Sequence, residues 1–233
     1  MNSSSIALWA FIGSAAIAPA AALPSYDDVT CFLFKICPQL CQKVTTVENF
    51  DVEAYASAKW YIHQQAAVGY LPTSRNFCTT AEYTVRDRPT LLGYTIDVLN
   101  SDQNANGDAR AGNLCAYIPD PSIPSKLAVA PCFLPCFAAG PYWVVDYDEG
   151  EGYALISGGQ PVYVGENGKC KGGTGVNNSG LWIFSRSQTR NQTLIDNVRQ
   201  IALDAGFDLS VLNDVDQSSC SSGSGWGSES ELI

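Results

Sequence analysis

Apolar positions in this chain alternate with polar ones over short runs, the period of two that belongs to half-buried β-strands. Such runs lie near Lys59–Gln65, Phe77–Arg86, Leu92–Asn100, Ala109–Ile118, Lys126–Phe133, Tyr142–Tyr147, Tyr153–Ser157 and Leu181–Ser185. Turn-forming stretches separate them, among them Asp87-Arg88-Pro89, Asn106-Gly107-Asp108, Pro119-Asp120-Pro121 and Gly140-Pro141. Short strands at this regular spacing predict an all-β sandwich or barrel. The period changes once. Over Gln192–Phe207, the residues Leu194, Ile195, Val198, Ile201, Ala202 and Ala205 share one helical face. Thr189 or Asn191 can cap the start of that helix, and Gly206 sits where it should end. A single amphipathic helix after these strands must lay its stripe against the outside of the sheet. The Gly-rich stretch Gly158–Gly180 is longer than a hairpin needs and reads as a surface insertion.

The 233 residues suffice for one sizeable domain with its own core. Ile6–Ala18 is apolar but too short to span a bilayer comfortably, and Ala20-Ala21-Ala22 follows with small residues, so residues 1–22 read as a signal peptide. A Cys-rich lead over 23–47, a main domain over 48–220 and a Ser/Gly-rich disordered tail over 221–233 complete the expected organisation. No later segment is apolar enough for a transmembrane helix. Nine cysteines behind an export signal point to disulfides in an oxidising compartment, with one cysteine left over. Cys37-x3-Cys41 and Cys132-x3-Cys136 have tolerable zinc spacing but no histidine nearby, so no metal and no other cofactor is expected. The net charge of −10 repels phosphate backbones and anionic membranes, which argues against nucleic acid as a partner.

Three segments, in order, then carry a resemblance. Asn49-Phe50-Asp51-Val52 leads to Ala58-Lys59-Trp60-Tyr61. Tyr142-Trp143-Val144-Val145 runs through Asp148 to Tyr153-Ala154-Leu155. Leu181-Trp182-Ile183-Phe184-Ser185-Arg186 precedes the helix and Gly206-Phe207-Asp208. Together they resemble the lipocalin family, and within it the apolipoprotein D and bacterial outer-membrane branch, over Asn49 to Cys220. Ala58 stands where that family has a glycine, and Tyr147 where it has a threonine. The resemblance implies an eight-stranded antiparallel up-and-down β-barrel with one C-terminal helix, binding a small hydrophobic ligand of the fatty acid, sterol, retinoid or carotenoid class. It makes Trp60 and Arg186 a structural plug at the closed end. It pairs Cys78 with Cys220, and Cys170 with Cys37 or Cys41. Cys115 with Cys132 or Cys136 is a further candidate bridge across neighbouring strands.

If Cys78 faces outward, strand alternation turns Thr79, Ala81, Tyr83 and Val85 inward. The same alternation groups Leu127, Val129 and Phe133, and the resemblance adds Tyr142, Val144, Ala154, Ile156, Trp182 and Phe184. The candidate ligand contacts are therefore Ala81, Tyr83, Leu127, Val129, Phe133, Tyr142, Ile156 and Trp182. The competing reading is that these residues simply fill the barrel, leaving an interaction module whose protein partner the sequence does not identify.

No catalytic residue stands out. His63 is the only histidine, in the first strand, and Asp146, Asp148, Glu149 and Glu151 cluster at a turn. The enzymatic alternative is a likeness to plant and algal xanthophyll de-epoxidases, which resemble lipocalins with a Cys-rich N-terminal region. Against it, the lead here holds three cysteines, and Phe77 stands where those enzymes place an aspartate. Asn177-Asn178-Ser179 and Asn191-Gln192-Thr193 are glycosylation sequons, consistent with secretion. The Ala-Ala-Ala/Leu-Pro boundary resembles signals of some secondary-plastid algae, which leaves a plastid or thylakoid-lumen destination open.

Overall fold

A computed structural model describes residues 41–218 and 220, so the signal segment, Cys31, Cys37 and the tail beyond Cys220 lie outside the described residues. Eight strands form the wall: β1 (Trp60–Ala66), β2 (Phe77–Val85), β3 (Ile96–Gln103), β4 (Ala109–Tyr117), β5 (Lys126–Pro131), β6 (Gly140–Asp148), β7 (Tyr153–Ser157) and, after the Gly-rich stretch, β10 (Leu181–Ser185). Each pairs antiparallel with the next, and β10 pairs with both β7 and β1, which closes the barrel. Closure matters because it leaves no long strand edge to template aggregation. The interior holds one apolar cluster that includes Trp60, Ile62, Ala81, Tyr83, Val98 and Phe184.

The wall has a split that the strand pattern does not announce. β1 pairs with β2 only at Trp60–Ala81 and Tyr61–Thr80. Beyond that point the two strands diverge, and the C-terminal segment enters the gap. Strand β11 (Leu212–Asp214) pairs with Gln64–Ala66, and Asp216 bridges to Phe77. Val215 puts its side chain into the interior cluster. The Gln217 amide donates to the carbonyls of both Ile62 (2.9 Å) and Thr79 (2.7 Å), acting as a substitute rung between the separated strands. Cys78 sits at the bulge where β2 leaves the ladder, with φ of 52°, and its disulfide to Cys220 anchors the inserted segment. The segment from Leu212 to Cys220 is thus part of the wall as well as tied to it.

A short helix α1 (Val52–Ala56) precedes β1, and the predicted amphipathic helix appears as α2 (Gln192–Asp204). Asn191 supplies the cap, its Oδ1 accepting from Leu194 N at 3.2 Å. Gly206, at φ of 91°, ends the helix in a Schellman turn: Phe207 N donates to Ala202 O and Gly206 N to Leu203 O. Ile195, Val198 and Ala202 bury their stripe on Val145, Leu155, Leu181 and Ile183 of the outer wall.

The Gly-rich insertion contains a two-strand ribbon, β8 (Tyr163–Val164) with β9 (Cys170–Lys171). Cys170 bonds to Cys41, choosing between the two lead cysteines, and its backbone pairs with Gly206 and Asp208 beyond α2. Cys115 bonds to Cys132, leaving Cys136 as the free thiol among the described residues.

Two expected strands shift, with one consequence for the site. The third begins at Ile96 rather than Leu92, because Thr90 and Gly93 (φ 90°) make a tight turn that leaves Leu91 fully exposed. The fifth stops at Pro131, where the Cys115–Cys132 bridge takes over. Phe133 is consequently 79% exposed and lies outside the barrel interior, contrary to its expected place among the ligand contacts.

The Cys78–Cys220 bridge closes a separation of 142 residues. Replacing either cysteine by serine should lower unfolding stability by about 4–5 kcal/mol in the chain-entropy model. Hydrogen-exchange protection at Cys78 and Val215 should fall first. A urea midpoint unchanged from the native protein would contradict the anchoring role.

Candidate ligand-binding site

The barrel is shut at the end where β1 begins. Asp51 caps α1 by accepting from Glu53 N and Ala54 N, which turns the chain across the opening. Trp60 is fully buried and donates its Nε1 to the Tyr55 carbonyl at 3.0 Å. Arg186, at the end of β10, lies over the indole with its guanidinium carbon 3.6 Å from the ring centroid. The same guanidinium donates to the carbonyls of Ala54 and Tyr55, each at 3.0 Å, to the carbonyl of Ala58, and to Glu149 Oε2 at 2.9 Å. A planar fork that stacks and donates at once is what arginine offers and lysine does not.

Above this floor sit the rings of Phe50, Tyr55, Tyr83, Tyr147 and Phe184, in tilted and edge-on contacts. Tyr142 Oη lies 2.7 Å from both Tyr55 Oη and Tyr83 Oη. Burial pushes the Tyr83 hydroxyl up to about 12, and raises those of Tyr55 and Tyr142 well above the ordinary tyrosine value. These three stay neutral phenols and knit α1, β2 and β6 together.

The remaining space is a cavity of about 100 Å³. Ala81, Tyr83, Leu127, Val129, Tyr142 and Trp182 border it, six of the eight residues expected there. Ile156 is buried in the same interior cluster without bordering the cavity, and Phe133 is outside. Towards the mouth the lining becomes polar, with Gln65, Thr79, Asn100, Ser101 and Asp102. Tyr70 and Leu71, from the loop between β1 and β2, cover this end.

That loop is braced from both sides. Asp102 is buried and takes Arg75 Nε at 2.5 Å and Arg110 Nε at 2.8 Å, while Arg110 also donates to the Tyr70 carbonyl at 3.3 Å. Gly69 N donates to Thr174 O of the Gly-rich insertion at 3.0 Å. Tyr55, Gln65 and the Asp102 cluster did not stand out in the sequence. Tyr55 lies in a five-residue helix too short to show a period, and Gln65 and Asp102 are polar residues at strand ends, where polarity is ordinary.

The other candidates have structural duties. His63 occupies a bulge in β1, is buried, and its Nε2 donates to the Ser187 carbonyl at 2.9 Å. Asp148 accepts from Glu151 N to close the hairpin turn, and Asp146 accepts from Tyr147 N. Among the described residues, no cluster of three or more His, Cys, Asp or Glu is placed to hold a metal, and no helix is long and apolar enough to cross a membrane. A larger concavity along the outer face of the C-terminal segment, lined by His63, Arg190 and Asp214 to Ser218, is an open surface groove.

No protein-family profile and no curated protein sequence matches the chain. Solved structures do. Insecticyanin from the tobacco hornworm Manduca sexta matches with a TM-score of 0.54 at 21% identity, over 77% of this chain and 87% of that one. Apocrustacyanin C2 matches at 0.52 and 15% identity, over 79% and 94%. Lobster apocrustacyanin A1 matches at 0.52 and 16% identity over the same shares. The chain has the lipocalin fold.

Arg186→Lys should unfold at lower denaturant, by about 2–3 kcal/mol, because it loses the stack and most of the donors. The near-ultraviolet signal of Trp60 should change with it, and a variant as stable as the native protein would remove Arg186 from the floor. His63 offers a pH test. Burial is the chief cause that lowers its pKa below the usual 6.5, so the unfolded chain binds the extra proton more readily. Stability is therefore complete above about pH 6.5 and declines as pH falls through the folded-state value. Urea midpoints between pH 7 and pH 5 should drop for the native protein and drop less for His63→Asn. Equal slopes would assign the pH dependence to other groups.

Proposed function

We propose that this protein is a lipocalin-type carrier, of the apolipoprotein D and bacterial branch, that holds a small hydrophobic molecule inside the barrel. The observation that carries this reading is a largely apolar cavity inside the barrel, closed at the floor by Trp60 and Arg186 and more polar towards its mouth. Three disulfides among the described residues support an oxidising or extracellular setting. Asn177 and Asn191 are both exposed, which supports their use as glycosylation sites.

The volume narrows the ligand class. A cavity near 100 Å³ is smaller than the roughly 300–1,000 Å³ of ordinary ligand pockets and is closer to cavities that admit benzene-sized guests. We infer a compact aliphatic or monocyclic ligand, rather than a sterol or a carotenoid. A polyene of xanthophyll length exceeds this space, which weighs against the de-epoxidase alternative. The same small volume and the ring-packed floor favour, as a second reading, a filled barrel that acts through its surface.

Titration of the oxidised protein with toluene separates the two. Burying seven carbons at about 0.8 kcal/mol each contributes roughly 5.6 kcal/mol, a dissociation constant of about 0.1 mM. Saturable quenching of tryptophan fluorescence that Trp182→Phe reduces is the expected result, with retinol and cholesterol giving none. Absence of any saturable change across toluene, retinol, cholesterol and oleate would leave the filled barrel as the better account.

A further inference from the structure

Two residues that border the cavity each carry a buried polar atom with no hydrogen-bond partner in the protein, Gln65 Oε1 and Thr79 Oγ1. Gln65 is 1% exposed and Thr79 6%, so neither atom is solvated from outside. The amide orientation of Gln65 follows from its neighbours. Asn76 Nδ2 donates to the Asp214 carbonyl at 3.2 Å, which commits Asn76 Oδ1 to accepting. Gln65 Nε2 must then be the donor to Asn76 Oδ1, at 2.8 Å, which leaves the carbonyl oxygen of Gln65 without a partner. Thr79 has its backbone carbonyl occupied by Gln217, while its hydroxyl retains both a proton to give and lone pairs to offer. The two residues lie on β1 and β2 beyond the last rung between those strands, at the split filled by the C-terminal segment.

On the carrier reading above, we propose that Gln65 and Thr79 form a polar subsite that selects ligands bearing a neutral hydroxyl. A hydroxyl donates to Gln65 Oε1 and accepts from the Thr79 hydroxyl, leaving no polar atom of the three without a partner. The rest of the ligand lies along Ala81, Leu127, Val129 and Trp182. A carbonyl ligand can accept from Thr79 but gives nothing to Gln65. A carboxylate sets its lone pairs against Gln65 Oε1. Arg75 and Arg110 do not offset this, because they are turned to Asp102 and neither borders the cavity. A hydrocarbon leaves both atoms unpaired.

The test compares toluene, benzyl alcohol and benzoate, which share one ring, against the full oxidised protein by tryptophan fluorescence and calorimetry. Benzyl alcohol should bind tighter than toluene, by about tenfold, even though its hydroxyl must be stripped of water, and benzoate should bind weakest. In Thr79→Val, which keeps the side-chain shape, and in Gln65→Leu, the order should reverse to favour toluene. Benzyl alcohol binding no tighter than toluene to the native protein overturns the subsite, as happens if a buried water already satisfies both atoms. A preference that survives both substitutions overturns it too. If toluene alone binds, the carrier reading stands and the subsite falls; if no probe binds, both fall. The native comparison needs no variant, so it decides the matter even if Gln65→Leu fails to fold.

Discussion

The stack of Arg186 on Trp60 is the contact on which the rest of the barrel depends. It brings together the end of β10, the start of β1, the carbonyl end of α1 and, through Glu149, the hairpin between β6 and β7. These are the elements that must meet if one end of the barrel is to be shut. A floor made of backbone carbonyls alone would leave unsatisfied acceptors facing apolar rings. The guanidinium answers three of those carbonyls and covers the indole in the same plane. With one end sealed in this way, whatever enters the interior must do so from the other end.

At that other end the wall is completed by the segment that follows α2. β1 and β2 part after two rungs, and the gap is filled by residues from Leu212 to Gln217, so the wall's integrity rests on a segment whose Gln217 bonds the two strands across 155 and 138 residues of sequence. This arrangement supplies the backbone partners that diverging strands lack. It cannot supply partners for side chains at the split that face inward, which is how Gln65 and Thr79 come to border the cavity with polar atoms unpaired. Cys78, in a left-handed backbone conformation at the bulge, is where Cys220 is bonded. Ala81 and Tyr83, past the bulge, belong to the interior cluster.

The barrel was readable because its signals are local and repeated. Period-two alternation marks strands, the stripe from Leu194 to Ala205 marks the helix, and Trp60 with Arg186 marks the floor by resemblance. Where the reading slipped, apolar residues had another use. Phe133 continues the alternation of Lys126–Pro131 in sequence, but Pro131 and the Cys132 bridge end the strand before it. Leu92 looks like the start of a strand, yet it belongs to a turn that folds over the outer wall, where Cys136 N donates to its carbonyl. Tyr55, Asp102 and β11 were not legible, for a different reason. Their roles come from partners far along the chain, Tyr142, Arg75 with Arg110, and β1 respectively, and no local spacing encodes such meetings.

The size of the cavity and the polarity of its mouth end constrain each other. An interior filled only for stability would be expected to place apolar groups, or paired polar ones, at Gln65 and Thr79, since each unsatisfied buried group costs about 1–3 kcal/mol. Against a typical folding stability of about 5–15 kcal/mol, two such groups are a sizeable burden. A large, water-filled cavity would relieve them without a ligand, because ordered water would reach both atoms. A cavity of about 100 Å³ has room for a few waters, but its lining is mainly aliphatic and aromatic and offers them polar partners only at one end. On the proposed carrier reading, a guest that is apolar over most of its surface and carries one group able to both give and accept a hydrogen bond would satisfy both atoms at once, where a water would leave the aliphatic lining unfilled.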